Sequence, residues 1–242
     1  MKIAVAQIEP VTGDIPRNIQ QHLAVIELAA SEEVDVLIFP ELSLTGYEPT
    51  LAARLAIDVN DSLLDDFFRI SQDRQITVGV GVPTRHPEGV RISMVVFQPG
   101  KSRHIYSKRY LHPDEEPFFV KGPEDNGIIG EGIRMALAIC YETSVPAHIE
   151  QAHKHRARIY LASVAKFQHG IVRAQARLSE IARDYSMTVL MSNAIGSADG
   201  GVCAGMSAIW NEEGALLGQM DETQEGFLAV NTDTGEVWRR AL

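Results

Sequence analysis

Three stretches of this sequence end an apolar run on a residue able to take part in covalent chemistry. "VLIFPELSLTGY" carries Glu41, "HIYSKRYL" carries Lys108, and "RMALAICYETS" carries Cys140. A thiol is mostly protonated at neutral pH, so a nucleophilic cysteine needs help. A nearby glutamate can take the thiol proton as general base and return it to a leaving amine. A lysine ammonium can hold the negative oxygen of a tetrahedral intermediate. The backbone N–H of Tyr141, directly after Cys140 and leading toward a helix, is a candidate second donor to that oxygen. Together these are the parts of acyl transfer through a thioester.

Each residue also has a plainer reading. Cysteine is among the most buried residue types, and a single one closing a strand is usually structural; Cys203 is read that way, as core filler. A glutamate after Phe-Pro can be a charge favoured at a helix N-terminus, and a hairpin lysine is usually solvated, as assumed for Lys101 and Arg103. In "HIEQAHKHR", His148, His153 and His155 are five and two residues apart. That spacing does not put two metal ligands on one helix face, so these histidines read as polar helix surface and no metal is expected. Gly79 and Gly81 do not open a helix, so no dinucleotide fingerprint and no cofactor is expected.

The elements that must position the three residues alternate along the chain. "KIAVAQI" (2–8) reads as a strand, 15–33 as an amphipathic helix with Pro16 in its first turn, and "VDVLIFPE" (34–41) as a strand buried on both faces. A helix follows over 61–75 and a strand over 76–83, and a hairpin over 91–111 turns at Pro99-Gly100. Strand 133–140 leads to helix 145–156, strand 157–164, helix 171–186 and strand 187–194. Three strands near 203–210, 215–219 and 226–231 complete the series, and 232–242 reads as a C-terminal tail. Helix–strand alternation with hairpins mixed in predicts a single α/β domain over residues 1–242 with mixed sheets. In such folds reactive groups gather beyond the carboxyl ends of strands, where all three candidates lie.

Composition narrows the partners. The chain has 242 residues, 45% of them apolar, with 22 basic and 32 acidic side chains and a formal charge of −10. An acidic balance disfavours nucleic acid and anionic membrane. The N-terminus lacks a signal-peptide pattern, no stretch approaches the roughly 20 apolar residues of a membrane span, and two cysteines make no disulfide framework. A cytoplasmic protein in a reducing compartment is expected.

The segments "FPELSLTGY" (39–47), "YSKRYL" (106–111) and "LAICYETSVP" (137–146) resemble the three signature segments of the nitrilase superfamily, the carbon–nitrogen hydrolases. Their order fits too, with 67 residues from Glu41 to Lys108 and 32 from Lys108 to Cys140. "LSEIARDYSMTVLMSNAIG" and "GMSAIWNEEGALL" resemble later segments, so the likeness runs to about residue 231. The resemblance implies a four-layer αββα sandwich and a Glu–Lys–Cys triad hydrolysing non-peptide C–N bonds. Glu41 would be the base, Lys108 the oxyanion stabiliser and Cys140 the nucleophile. It also implies a further glutamate after the lysine, matched to Glu116 with Glu115 as the less favoured neighbour, and a homo-oligomer such as a dimer. Trp238 on the tail is a candidate apolar anchor, equally for a partner subunit or for its own chain.

The sequence departs from the family pattern at Glu142, where Asp is common, at Arg91-Ile92-Ser93, where Asn is frequent, and after "YLASVAK", where a Trp is missing. Glu142, Ser163, Val164, Ala165 and Lys166 are therefore the expected pocket residues. A small amide or carbamoyl compound is the expected substrate. An amine acceptor in place of water would make the same thioester site an acyltransferase, and a non-catalytic binding protein on the same fold is the rival from another class.

Overall fold

The computed structural model describes residues 1–242. From the N-terminus the chain forms β1 (Lys2–Gln7), α1 (Ile15–Ser31), β2 (Val36–Ile38), α2 (Ala52–Leu55), α3 (Asp65–Arg74), β3 (Thr77–His86), β4 (Gly89–Phe97) and β5 (His104–Ser107). The middle of the chain forms β6 (Ile128–Ile129), β7 (Met135–Ile139), α4 (Pro146–Lys154), β8 (Ile159–Val164), α5 (Ile171–Tyr185) and β9 (Thr188–Asn193). The last part is all strand: β10 (Ile195–Ala198), β11 (Gly201–Ala204), β12 (Ala208–Trp210), β13 (Leu216–Gln219), β14 (Gly226–Asn231) and β15 (Val237–Ala241).

Two mixed sheets result. One runs β15-β14-β1-β2-β3-β4-β5, the other β13-β12-β9-β8-β7-β6, and β10 and β11 form a separate hairpin. The central strands β1, β2 and β3 are parallel, as are β7, β8 and β9. Ile3, Val5, Ile38 and Met94 of the first sheet meet Leu137, Ile139, Leu161 and Leu190 of the second in one apolar cluster. The outer face of the first sheet is covered by α1 and α3 through Ile19, Val25, Ile26, Phe67 and Ile70. The outer face of the second is covered by α4 and α5 through Ile149, Ala152, Leu178 and Ile181. Strands so covered on both sides explain the near-continuous apolar runs. The layers are αββα.

Polar clasps cross between the two sheets. Ser163 Oγ of β8 donates to the carbonyl of Phe39 at 2.8 Å, and Ser192 Oγ of β9 to that of Ala6 at 2.6 Å. The first clasp matters most, because Ser163 pairs in register with Ile139, the residue before Cys140, while Phe39 lies two residues before Glu41.

Two expectations are corrected here. The segment 232–242 is not a tail: Val237–Ala241 pairs antiparallel with β14, and Trp238 packs onto the cluster under α1 with the Lys2 ammonium 6.0 Å from its ring centre. The strand expected over 203–210 divides in two, because Gly205 and Met206 both take positive φ (61° and 56°) and turn the chain from the hairpin into the second sheet.

Candidate active site

Glu41 lies in a tight turn three residues beyond β2. Phe39 N donates to Gly79 O and Leu44 N to Gly81 O, so the turn is laced onto β3. Gly81 is required: a Cβ there would lie 2.3 Å from Pro40 O and 2.6 Å from Leu42 N. From the helix side, His22 of α1 stacks on Phe39 with ring centres 4.2 Å apart, and its Nε2 lies 2.9 Å from Ser43 Oγ. Burial holds the His22 pKa down to about 4, so the ring is neutral; Nδ1–H donates to Asn18 O and Nε2 accepts from Ser43.

Lys108 follows β5 directly and is wholly buried. Its N–H donates to Ile92 O and its carbonyl accepts from Gly122 N. A chain of hydroxyls, Thr84, Ser93 and Ser107, runs across β3, β4 and β5 to the residue before it, with spacings of 2.7 and 2.8 Å. The Lys108 ammonium donates to Glu41 Oε1 and to Glu115 Oε1, both at 2.7 Å. Burial disfavours the ammonium, but the Glu41 and Glu115 carboxylates and the Cys140 thiolate form outweigh it and raise the Lys108 pKa.

Glu115, not Glu116, is the second carboxylate of this centre. The turn Pro113–Glu115 directs Glu115 inward, where Oε2 accepts from His112 N at 2.8 Å and Oε1 accepts from Tyr47 OH at 3.0 Å as well as from Lys108. Glu116 is exposed, one residue further round the same turn. Tyr47, the last residue of "FPELSLTGY", thereby joins the Glu41 turn to the Lys108 centre.

Glu41 itself is left half used. Oε1 is on Lys108, while Oε2 is buried with no hydrogen-bond partner. Burial raises the Glu41 pKa, with Lys108 opposing the shift and Glu115 adding to it. An unpaired oxygen on a carboxylate made more basic is an available proton acceptor.

Cys140 opens a short 3₁₀ turn (Cys140–Ser144) at the end of β7, with φ of +46°. The left-handed conformation costs a non-glycine residue about 1–3 kcal/mol and clusters at functional positions. Its side chain is partly exposed between the inter-sheet cluster and the cluster under α4 and α5. Burial and then Glu41 push the thiol pKa up, while Lys166 and Lys108 pull it down. The resting sulfur is therefore a thiol.

Glu142 is not a pocket residue. It is wholly buried and fully bonded: Oε2 accepts from Ile139 N and Tyr106 OH, both at 2.8 Å, and Oε1 accepts from Arg109 N at 2.7 Å. It thus ties the turn after β7 to the residue after Lys108. His148 is not helix surface either. Its Nε2 lies 2.8 Å from Tyr106 OH and its Nδ1 2.9 Å from Tyr160 OH, and burial lowers its pKa to about 4. Since Tyr106 donates to Glu142, neutral His148 donates from Nε2 and accepts from Tyr160 at Nδ1.

The remaining expected pocket residues divide. Ser163 is spent on the inter-sheet clasp and Val164 is core under α4 and α5. Ala165 joins Ala194, Ala198 and Cys203 in a patch of small side chains against Tyr47 and Phe167. Cys203 is core filler; burial first, then Cys140 and Glu41, push its thiol up to about 12. Lys166 is half-buried, and its positive charge acts on both Glu41 and Cys140. Outside these, Asp199 has its carboxyl pKa raised by burial and by the Glu48 and Asp114 carboxylates.

A family model described as carbon-nitrogen hydrolase matches residues 2–240. The chain is 26% identical over 251 residues to the glutamine-dependent NAD(+) synthetase of Aquifex aeolicus, covering 100% of this chain but 44% of that protein. It is 26% identical over 220 residues to an (R)-stereoselective amidase of a Pseudomonas species, covering 90% of this chain and 80% of the relative. Among solved structures, the amidase from Nesterenkonia sp. AN1 superposes with a TM-score of 0.87 at 24% identity, covering 96% of this chain and 92% of the other. That structure is of a mutant of the amidase, in which acrylamide is joined by Michael addition to the active-site cysteine. The chain therefore shares a fold with that amidase, and spans less than half the length of the NAD(+) synthetase it matches. No helix is long and apolar enough to cross a membrane.

Proposed function

Because the chain belongs to the carbon–nitrogen hydrolase family, we propose that it hydrolyses small amides through a thioester on Cys140. The observation that carries this reading is the half-used carboxylate: Glu41 keeps Oε1 on Lys108, has an unpaired, buried Oε2, and its charge acts on the Cys140 thiol, which is protonated at rest.

In the proposed cycle the Cys140 Sγ–C bond forms at the amide carbonyl as Glu41 Oε2 takes the thiol proton. The carbonyl oxygen becomes an oxyanion held by the Lys108 ammonium and the Tyr141 N–H. The intermediate collapses by breaking the C–N bond, and Glu41 passes its proton to the nitrogen, so ammonia leaves. Water then attacks the thioester, giving its proton to Glu41; the S–C bond breaks, the acid departs, and the proton returns to sulfur. Glu115 takes the place expected of Glu116: it braces Lys108 alongside Glu41 and, with Tyr47, keeps the ammonium charged and aimed. A reactive thiol with no disulfide partner fits a reducing, cytoplasmic location.

The test is ammonia release from a panel of small amides, with Cys140→Ala as the blank, and intact-mass detection of an acyl group on Cys140. Turnover in the wild type, an adduct of the acyl mass and a loss of about 10⁴-fold or more in Cys140→Ala are expected. Near-normal turnover in Cys140→Ala would overturn the thioester. Added hydroxylamine or another acceptor amine separates water from amine as the acyl acceptor by its product.

A further inference from the structure

Resting on the amidase reading, we propose that Ser163 is a positioning residue, whose hydroxyl sets how far Glu41 stands from Cys140. The two reactive groups come from different sheets, Glu41 from the turn after β2 and Cys140 from the end of β7. No backbone ladder joins those sheets, so the spacing between them depends on side chains that cross the gap. Apolar groups such as Ile38, Ile139 and Leu161 fill much of it, and their attraction is non-directional. A hydrogen bond fixes a distance and a direction as well.

Ser163 makes such a bond at the level of the reactive residues. It is buried on β8, and its Oγ donates to Phe39 O at 2.8 Å. No backbone N–H reaches that carbonyl, so the hydroxyl is what satisfies it, in dry surroundings where a lost partner is costly. From Phe39 the path to Glu41 is short and stiff. Pro40 has a fixed φ and restricts the residue before it. Phe39 is held in addition by its N–H on Gly79 O and by its ring on His22. On the other side, Ser163 pairs in the parallel ladder with Ile139, whose N–H is held by Glu142 Oε2 at 2.8 Å, and Cys140 follows directly. Along this path a single hydrogen bond joins two rigid mounts. A catalytic group displaced by about 1 Å loses on the order of 100-fold in rate.

A rival role is plain stability, and Ser192 supplies the matched control. It pairs in register with Ser163 from β9, is as deeply buried, and donates in the same way to Ala6 O at 2.6 Å. Neither β9 nor β1 carries a reactive residue. Ser163→Ala and Ser192→Ala are expected to lower the urea midpoint alike. Only Ser163→Ala is expected to slow turnover of a small amide, by about 10- to 100-fold in kcat and in single-turnover acylation, with KM within about twofold. In a Glu41→Gln background the added Ser163→Ala is expected to cost no more than about twofold in acylation, because its effect runs through Glu41. Equal kcat in the two alanine variants, a loss confined to KM, or a full further loss in the Glu41→Gln background would overturn the positioning role while leaving the amidase standing. Absence of ammonia release from every amide in the wild type would overturn the amidase reading and this proposal with it.

Discussion

Two buried glutamates lie at the heart of this molecule and have opposite fates. Glu41 and Glu142 are both inaccessible to solvent, and burial raises the pKa of both. Glu142 spends its oxygens on Ile139 N, Tyr106 OH and Arg109 N. Glu41 spends one oxygen on Lys108 and keeps the other free. A carboxylate whose lone pairs are taken by donors is a brace: protonating it would cost hydrogen bonds. One with a free buried oxygen is available as a proton acceptor, the role proposed for Glu41. Each centre also has its own neutral buried histidine, His22 behind the Glu41 turn through Ser43, and His148 behind Glu142 through Tyr106.

Substitution should pull the two apart. Glu41→Gln is expected to cost about 10²- to 10⁴-fold in single-turnover acylation, the usual worth of a general base. Its urea midpoint should hold, because the amide oxygen can still accept from Lys108, which keeps Glu115 as its counter-charge. Unchanged acylation would move the base elsewhere, with Glu115 next in line. Glu142→Leu should do the reverse and destabilise by about 3–5 kcal/mol, since three buried donors lose their acceptor at once. Denaturant unfolding measures this, and a stable Glu142→Leu protein with impaired turnover would show that Glu142 belongs to the chemistry.

Acid should weaken the fold through both histidines. Each titrates near 6.5 when unfolded but at about 4 when folded, so the unfolded chain binds protons first. Their contribution is whole above about pH 6.5 and is lost as the pH falls through about 4, to the extent of about 3 kcal/mol per histidine. Glu41 and Glu142, with raised values, act in the opposite sense, so the measurement is a difference: His148→Gln should show a shallower fall in urea midpoint across that window than the wild type. An unchanged slope would mean His148 does not stay neutral.

A smaller contrast sits within one turn. Glu115→Gln should lower kcat about tenfold by loosening Lys108, whereas Glu116→Ala should change stability by less than about 0.5 kcal/mol, as exposed substitutions do. Steady-state kinetics on both variants decides it, and a larger effect from Glu116 would reverse the assignment.

Much of the architecture was legible. The unbroken apolar runs at 34–41, 133–140 and 157–164 are strands covered on both faces, and the helix expected over 15–33 exists because Asn18, Ile19, His22, Val25, Ile26 and Ala29 share a face. The edge strand at 237–241 was hidden because an edge is half solvated and "VWRRA" shows no core pattern. His148 was misjudged for a related reason: a polar residue on a helix reads as surface unless its partners, Tyr106 and Tyr160, are known, and they come from other strands.

The sequence by itself determined the candidate reagents and their mounts: a carboxylate, an ammonium and a thiol, each just past a buried strand, and the class of chemistry they point to. Local pattern suffices for that, because strand burial and polarity are written in adjacent residues. Only the tertiary structure decided which glutamate braces the lysine and which oxygen stays free. Those properties depend on hydrogen bonds between residues far apart in the chain, such as Tyr47 to Glu115 and Ser163 to Phe39. Satisfaction of a buried charge is a sum over its neighbours in space, and those neighbours exist only once the two sheets have closed on each other.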